Sequence, residues 1–158
     1  MIAVCRAQVP NSNRHVTKYL LDTNVISEFR KPRPDPNVLA WLEQVDPDLV
    51  HLSVITVGEL QKGIARLTDE NRRSLLQAWL EDDLLIRFAG RIALLDVGVL
   101  LTWGNMLARR EQAGLTMSAV DSLIVAIALH GGFVLVTRNE RDFANTGVEI
   151  LNPWLKNS

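Results

Sequence analysis

The fold can be inferred from residues 19–22, YLLD, a short apolar run that ends in the acid Asp22. Such a run is typical of a strand buried on both faces of a parallel sheet, where an unpaired carboxylate is costly to remove from water. Three more acids, Glu59, Asp121 and Asp142, stand at the edges of later apolar segments. We therefore expect these carboxylates to meet at the carboxyl ends of the strands and to hold a divalent cation.

Strand and helix patterns alternate along the rest of the chain, which predicts an α/β fold with a parallel sheet between helical layers. Residues 1–17 lack periodicity, so we predict a flexible N-terminal arm or an upstream translation start there, followed by one domain over residues 18–158. Strands are predicted at 18–21, 49–53, 92–95, 133–137 and 148–151, and helices at 36–45, 55–67, 70–88, 97–112 and 119–130.

Charge and cysteine content limit the classes of function. The chain has 17 basic and 18 acidic residues and a formal net charge of -1. A nucleic acid would therefore have to be held by local basic clusters and bound cations. The one cysteine, Cys5, cannot form an internal disulfide, and no uncharged apolar stretch is long enough to span a bilayer. We expect a cytoplasmic protein with no membrane partner.

Each of the main acids also has a simpler interpretation as a helix cap. Asp22 precedes a short helical pattern and could bind its free amides. The spacing of Thr56 with Glu59, and of Ser118 with Asp121, matches a capping box. These interpretations need no chemistry, so the sequence leaves open an interaction module in which the acids are only caps.

Two features indicate that these acids line a cleft and are more than helix caps. Residues 123–129 are apolar on every side, so the helix that begins near Asp121 is predicted to be buried all round, with its start facing the interior. Glu59 has Thr56 and Gly63 on its own helical face, which leaves room for a molecule to approach the carboxylate.

Supporting positions are predicted for four more polar residues. Asn139 and Asp142 lie three apart after a predicted strand, so one helical turn would aim both in one direction, whereas an ordinary polar turn is the alternative. Asp96 is predicted to cap the helix that it opens, with a place beside the site as the alternative. Asn24 is predicted to orient the site without contacting the cation.

The residue types favour a hard cation over zinc. Magnesium and manganese bind carboxylate oxygens, keep several waters and complete their coordination with phosphate. The three histidines, His15, His51 and His130, fall outside the acidic segments, so acid–base catalysis by histidine is not supported. We expect hydrolysis by a water that a bound cation activates.

Basic residues flank the first and last acidic segments, and we predict that Arg30, Arg33 and Arg138 rim the cleft and bind phosphates. Solvated surface charge is the alternative interpretation. The tryptophans stand among leucines at helical spacing, so we predict that they pack in the core or at an interface rather than stack on bases. They are Trp41, Trp79, Trp103 and Trp154.

Four acidic segments follow one another along the chain: LLDTNVISE at 20–28, SVITVGEL at 53–60, SAVDSLIVAIA at 118–128 and VTRNERDF at 136–143. Together they resemble the motifs of PIN domain nucleases, specifically the toxin ribonucleases of VapBC-type toxin-antitoxin pairs. The resemblance extends from Tyr19 to about Pro153. It implies a five-stranded parallel sheet in an α/β/α sandwich, Mg²⁺ or Mn²⁺ at the acids, and endonucleolytic cleavage of RNA. It also implies a homodimer, and an antitoxin that blocks the site and alone contacts operator DNA.

By position in these motifs, Asp22 and Asp121 would be the principal metal ligands, and Glu59 a ligand or the group that holds and deprotonates the attacking water. The fourth motif departs from its most acidic form, because Asn139 stands where many members have an acid. Either Asn139 or Asp142 could therefore complete the site, and a second cation would be held weakly.

Two other classes of α/β protein fit less well. A phosphoacceptor signalling domain could use Asp96 but would need a lysine after a late strand, where this chain has Thr137-Arg138. A haloacid-dehalogenase-like phosphatase would need an aspartate where this chain has Asn24.

Overall fold

The computed structural model describes residues 15–155, so most of the predicted N-terminal arm and the last three residues lie outside the described range. Five parallel strands form one sheet in the order β3-β2-β1-β4-β5. This confirms the sheet that the resemblance implies. The strands are β1 Lys18–Leu21, β2 Val50–Ser53, β3 Ile92–Ala93, β4 Phe133–Val136 and β5 Ile150–Leu151.

Helices cover both faces of the sheet, as expected for an α/β/α sandwich. Successive side chains of a strand point to opposite faces, and the neighbouring residues Leu20 and Leu21 accordingly belong to two separate hydrophobic cores. The helices are α1 Thr23–Glu28, α2 Pro36–Gln44, α3 Val54–Ala65, α4 Glu70–Ala78, α5 Leu85–Arg87, α6 Val97–Gln112 and α7 Ala119–Gly131.

The element boundaries differ from the predictions mainly at the edges of the sheet. β3 and β5 have two residues each instead of four. β3 ends where its neighbour β2 ends, at the pair Ser53 and Ala93, whereas β5 begins only at Ile150 although its neighbour β4 begins at Phe133. The single helix predicted at 70–88 is interrupted by a π-helical turn, Trp79–Leu84, between α4 and α5. This turn brings both Leu80 and Leu84 into the core.

α7 is the most deeply buried helix, as the apolar run predicted, but its start at Ser118, Ala119 and Val120 is exposed, so the prediction that the start faces the interior is wrong. Every residue from 122 to 128 except Leu123 is buried, and the helix ends at Gly132, which adopts the left-handed conformation that favours glycine. His130 lies in its last turn. Within residues 15–155, no helix combines the length and the apolar character needed to cross a bilayer.

Candidate active site

Three of the predicted acids, Asp22, Glu59 and Asp121, lie on elements that meet near the carboxyl ends of the strands. Asp22 follows the central strand β1 and is only 7% exposed. Burial raises the pKa of Asp22, hydrogen bonds from Thr137 and from the Thr23 amide oppose this rise, and the charges of Glu59 and Asp121 add to it. Carboxylates from three separate elements therefore lie within electrostatic range of one another.

The Asp22 carboxylate is held at both oxygens. Its Oδ1 accepts a 2.8 Å hydrogen bond from the Thr23 amide, so Asp22 is the N-cap of α1, as the simpler interpretation expected. Its Oδ2 accepts a 2.8 Å bond from the Thr137 hydroxyl, which comes from the end of β4. Capping therefore describes only part of the environment of this acid.

Glu59 is not a helix cap. The N-cap of α3 is Ser53, whose Oγ accepts a 2.9 Å bond from the Thr56 amide, so the capping box predicted for Thr56 and Glu59 is wrong. Glu59 lies in the interior of α3, and its Oε2 accepts a hydrogen bond from the Thr23 hydroxyl. Thr23 thus ties the first acidic motif to the second.

Asp121 is bonded twice to Ser118, the N-cap of α7, but the second bond differs from the predicted capping box, because it comes from the Ser118 hydroxyl and not from its backbone amide. The Ser118 hydroxyl accepts a 3.1 Å bond from the Asp121 amide and donates a 2.7 Å bond to Asp121 Oδ2. This reciprocal pair fixes the carboxylate at the start of α7, where the side chain is half-buried. Oδ1 of Asp121 accepts no hydrogen bond from the described part of the chain.

The fourth motif contributes differently from the prediction. Asn139 and Asp142 are exposed and lie on a succession of tight turns, in which the Asp142 amide donates to the Asn139 carbonyl at 3.2 Å. Both residues line the same open cavity, so the turn does bring them to one side of the chain. Among the described residues, neither side chain bonds to Asp22, Glu59 or Asp121. The Asn139 amide instead donates a 3.0 Å bond to Thr137 Oγ1.

The two supporting residues have different surroundings. Asn24 Nδ2 donates to Thr137 Oγ1 at 3.2 Å and Asn24 Oδ1 accepts from the Arg138 amide at 3.4 Å, so Asn24 joins the first motif to the fourth. Asp96 is exposed and caps α6 by accepting a 2.9 Å bond from the Val99 amide, which confirms the N-cap prediction. It follows β3 at the edge of the sheet, away from the central strand.

The three basic residues are also placed differently from one another. The Arg30 guanidinium lies over the Trp79 ring, 4.8 Å from its centre, and the Arg138 guanidinium lies 5.7 Å from the centre of the Trp154 ring. Arg33 is exposed. All four tryptophans are partly buried against the two cores, which confirms their predicted packing role.

The acids fit a hydrated hard cation better than a cation held by protein ligands alone. Within residues 15–155, no three acidic, histidine or cysteine side chains are close enough together to hold an ion by themselves. Magnesium commonly binds through one or two carboxylates plus water and substrate phosphate. His51 and His130 contact Leu49 and Thr102 instead of the acids. The donor set therefore suits Mg²⁺ or Mn²⁺.

Sequence reasoning missed two site residues, Thr23 and Thr137. Both carry a hydroxyl: Thr23 directly follows the acid Asp22, and Thr137 directly follows a buried strand. That position is the one available signal, since hydroxyls at a strand end can bond to groups from neighbouring strands.

Comparison with known proteins agrees with this arrangement. The PIN domain family model matches residues 19–149. The VapC ribonuclease Y4jK of Sinorhizobium fredii is 37% identical over 135 residues, which cover 85% of this chain and 96% of that protein. Toxin FitB of Neisseria gonorrhoeae is 37% identical over 135 residues, covering 85% and 97%. The solved structure of FitAB bound to an IR36 DNA fragment superposes with a TM-score of 0.83 at 34% identity, covering 89% of this chain and 98% of that chain.

Proposed function

The chain belongs to the PIN domain family, and on that basis we propose that it is an endoribonuclease, the toxin of a toxin-antitoxin pair, dependent on Mg²⁺ or Mn²⁺. One observation carries the proposal: buried Asp22 faces the charges of Glu59 and Asp121 without a basic partner. The ion pairs in the described part of the chain involve Glu28, Glu70 and Asp83 instead. A bound cation would offset the repulsion among the three carboxylates.

The relatives support the class of reaction. Similarity to a protein named as a ribonuclease and to one named as a toxin extends over more than four fifths of this chain. We assign the nuclease activity to the domain predicted at residues 18–158 and place it in the cytoplasm.

The chemistry can be assigned to the residues on the page. Asp22 and Asp121 would hold the cation, which when bound offsets charge on the phosphate and lowers the pKa of water. Glu59 holds the attacking water and accepts its proton, because Thr23 fixes Oε2 and leaves Oε1 free for this task. Water oxygen then bonds to phosphorus as the phosphorus–oxygen bond to the leaving nucleotide breaks. Arg33 and Arg138 bind neighbouring phosphates of the RNA.

A pair of matched variants tests this function against the interpretation of the acids as helix caps. Asp121 and Asp96 both stand at helix starts, and asparagine is a good helix-start residue. We expect Asp121→Asn to abolish cleavage of a labelled, loop-containing RNA, whereas Asp96→Asn retains it. Wild-type cleavage should require Mg²⁺ or Mn²⁺ and stop in EDTA. Cleavage that continues in EDTA, or an active Asp121→Asn variant, would refute the proposal.

We also propose that a cognate antitoxin inhibits the site and that operator DNA is contacted only through it. FitAB bound to DNA is one structural precedent among the relatives. Co-expression with a candidate antitoxin, followed by purification and the cleavage assay, tests this. The complex should be inactive, and the released toxin should regain cleavage.

A homodimer is the expected assembly, and an exposed apolar surface is available for it. Leu94, Val97 and Leu101, beside the edge strand β3, are 66%, 74% and 66% exposed. Exposed apolar residues grouped in this way commonly mark an interface. Leu101→Glu should shift the protein to the monomer in light scattering. Leu75→Glu is the control, since Leu75 is 70% exposed on α4, and it should leave the dimer intact.

A further inference from the structure

Thr137 connects the first and fourth acidic motifs through a single buried hydroxyl. Its side chain has no exposed surface. Oγ1 lies 2.8 Å from Asp22 Oδ2, 3.2 Å from Asn24 Nδ2 and 3.0 Å from the Asn139 amide nitrogen. The hydroxyl thus contacts one acid and two nitrogen donors.

The direction of these three hydrogen bonds is fixed by what each group can donate. A threonine hydroxyl has one proton and two acceptor lone pairs. The Asn139 amide can only donate. The Asn24 amide is oriented by its Oδ1, which accepts from the Arg138 amide, so its Nδ2 must face Thr137. Both lone pairs of Thr137 are therefore used, and its only proton goes to Asp22.

This chain of donors determines the orientation of the Asp22 carboxylate. Oδ2 is held by Thr137 and Oδ1 by the Thr23 amide, each at 2.8 Å. A carboxylate restrained at both oxygens cannot rotate freely about its last bond, so its remaining lone pairs keep one direction. Groups that hydrogen-bond to a metal-binding residue, without binding the metal themselves, are known to tune the metal affinity of a site.

We propose that Thr137 is a positioning residue that fixes the Asp22 carboxylate for cation binding. The inference rests on the proposed function. The inference also assigns a role to the fourth motif. The Thr137 hydroxyl bonds to the Asp22 carboxylate and the Asn139 backbone amide bonds to that hydroxyl, so the motif orients the proposed metal ligand Asp22. A hydrogen bond between residues 115 apart in the sequence thereby joins the ends of the adjacent strands β1 and β4.

The test compares Thr137→Val, which removes the hydroxyl at nearly constant shape, with Thr137→Ser, which keeps it. Mn²⁺ is added to the metal-free protein, and its affinity is obtained from the electron paramagnetic resonance signal of the free Mn²⁺. The values of kcat and KM are measured with labelled RNA. Thr137→Val should weaken Mn²⁺ binding roughly 10- to 100-fold and lower kcat more than it raises KM. Thr137→Ser should restore both to within a few-fold of wild type.

Thr146→Val is the matched control. Thr146 is another buried threonine of the same connection, and its hydroxyl donates to the Phe143 carbonyl at 2.7 Å without contacting an acid. This variant should lose stability but keep wild-type Mn²⁺ affinity. If Thr146→Val and Thr137→Val weaken Mn²⁺ binding equally, or if Thr137→Val binds Mn²⁺ as wild type does, the positioning role is wrong.

A second variant, Asn24→Ala, tests the same inference if Thr137→Val folds poorly. Asn24→Ala removes one of the two donors that direct the Thr137 proton, so Mn²⁺ affinity should fall by a few-fold, and unchanged affinity with unchanged kcat would overturn the inference. Failure of the proposed function gives a different result: wild-type protein itself would bind no Mn²⁺ and would cleave RNA equally in EDTA.

Discussion

Arg110, in the last turn of α6, provides a quantitative test of how the site is held together. Its side chain is 7% exposed and donates to the carbonyls of Ala144 and Asn145 at 3.1 Å and of Thr116 at 3.3 Å. It therefore joins the connection that leads into α7 to the connection that follows the fourth motif. We expect Arg110→Met, which keeps much of the apolar stem but none of these bonds, to destabilise the protein.

The magnitude follows from two opposing effects. Three hydrogen bonds at a net value of about 1 kcal/mol each give about 3 kcal/mol, and the low value applies because the acceptor carbonyls belong to exposed residues that water can reach. Against this, the guanidinium is buried without an acidic partner, and its Nε has no hydrogen-bond partner in the described part of the chain. That burial costs about 1 to 2 kcal/mol. The expected loss is therefore about 1 to 2 kcal/mol, or roughly 2 to 8 °C in melting temperature for a chain of this size.

Urea denaturation and thermal melting measure this loss directly. Arg109→Met is the control, because the neighbouring arginine is exposed and its loss should change stability by less than about 0.5 kcal/mol. An Arg110→Met protein as stable as wild type would show that burial of the unpaired cation outweighs its three hydrogen bonds.

Three further perturbations follow from burial and charge. Burial raises the pKa of Asp22, so its ionisation disfavours the folded metal-free state, and Asp22→Asn should be at least as stable as wild type at pH 7 in EDTA. The difference should shrink as the pH falls below the raised pKa and vanish below the ordinary pKa of an aspartate, where Asp22 is protonated in both the folded and the unfolded state. A less stable variant in denaturation at pH 7 would contradict this. The hydrogen bond from Lys31 lowers the pKa of Glu28, so this bond stabilises the fold at pH 7 and the stabilisation is lost as the pH falls through the lowered pKa. Glu28→Gln should lower the free energy of unfolding by about 1 kcal/mol at pH 7 and leave it unchanged in acid. Urea denaturation at both pH values measures this difference. Phe143, 2% exposed, anchors the turns after β4, so Phe143→Ala should cost about 3 to 5 kcal/mol in melting curves, and a loss below 1 kcal/mol would place the ring outside the core.

Most of the fold could be predicted from the sequence because the central strands carry their own signal. Residues 19–22 are apolar up to Asp22, and such a run has few alternatives to a doubly covered strand. The edge strands lack this advantage, since their length depends on the neighbour with which they pair. Leu94 and Leu95 look like strand residues, but they extend past the end of the β2 ladder and remain exposed.

The candidate site was only partly predictable for a related reason. An acid at the end of a buried strand indicates a site by itself, whereas a hydroxyl does so only through its partners. Thr137 lies 115 residues from Asp22 in the sequence, and nothing in the local pattern of either residue indicates their contact. Thr56 was predicted as an N-cap because its spacing with Glu59 matches a capping box; the end of β2 places the helix start at Ser53 instead.

Helix capping and metal binding are compatible roles for these acids. Asp22 caps α1, and Asp121 is bonded to Ser118, the N-cap of α7; in each case the bonds at the helix start also hold the carboxylate in one orientation. Capping therefore cannot decide between an interaction module and a nuclease. Glu59 is the acid that capping does not explain, because an interior position of α3 offers no free amide to cap. The cation proposed between the carboxylates would account for a Glu59 side chain that is held by Thr23 and whose charge contributes to the raised pKa of Asp22.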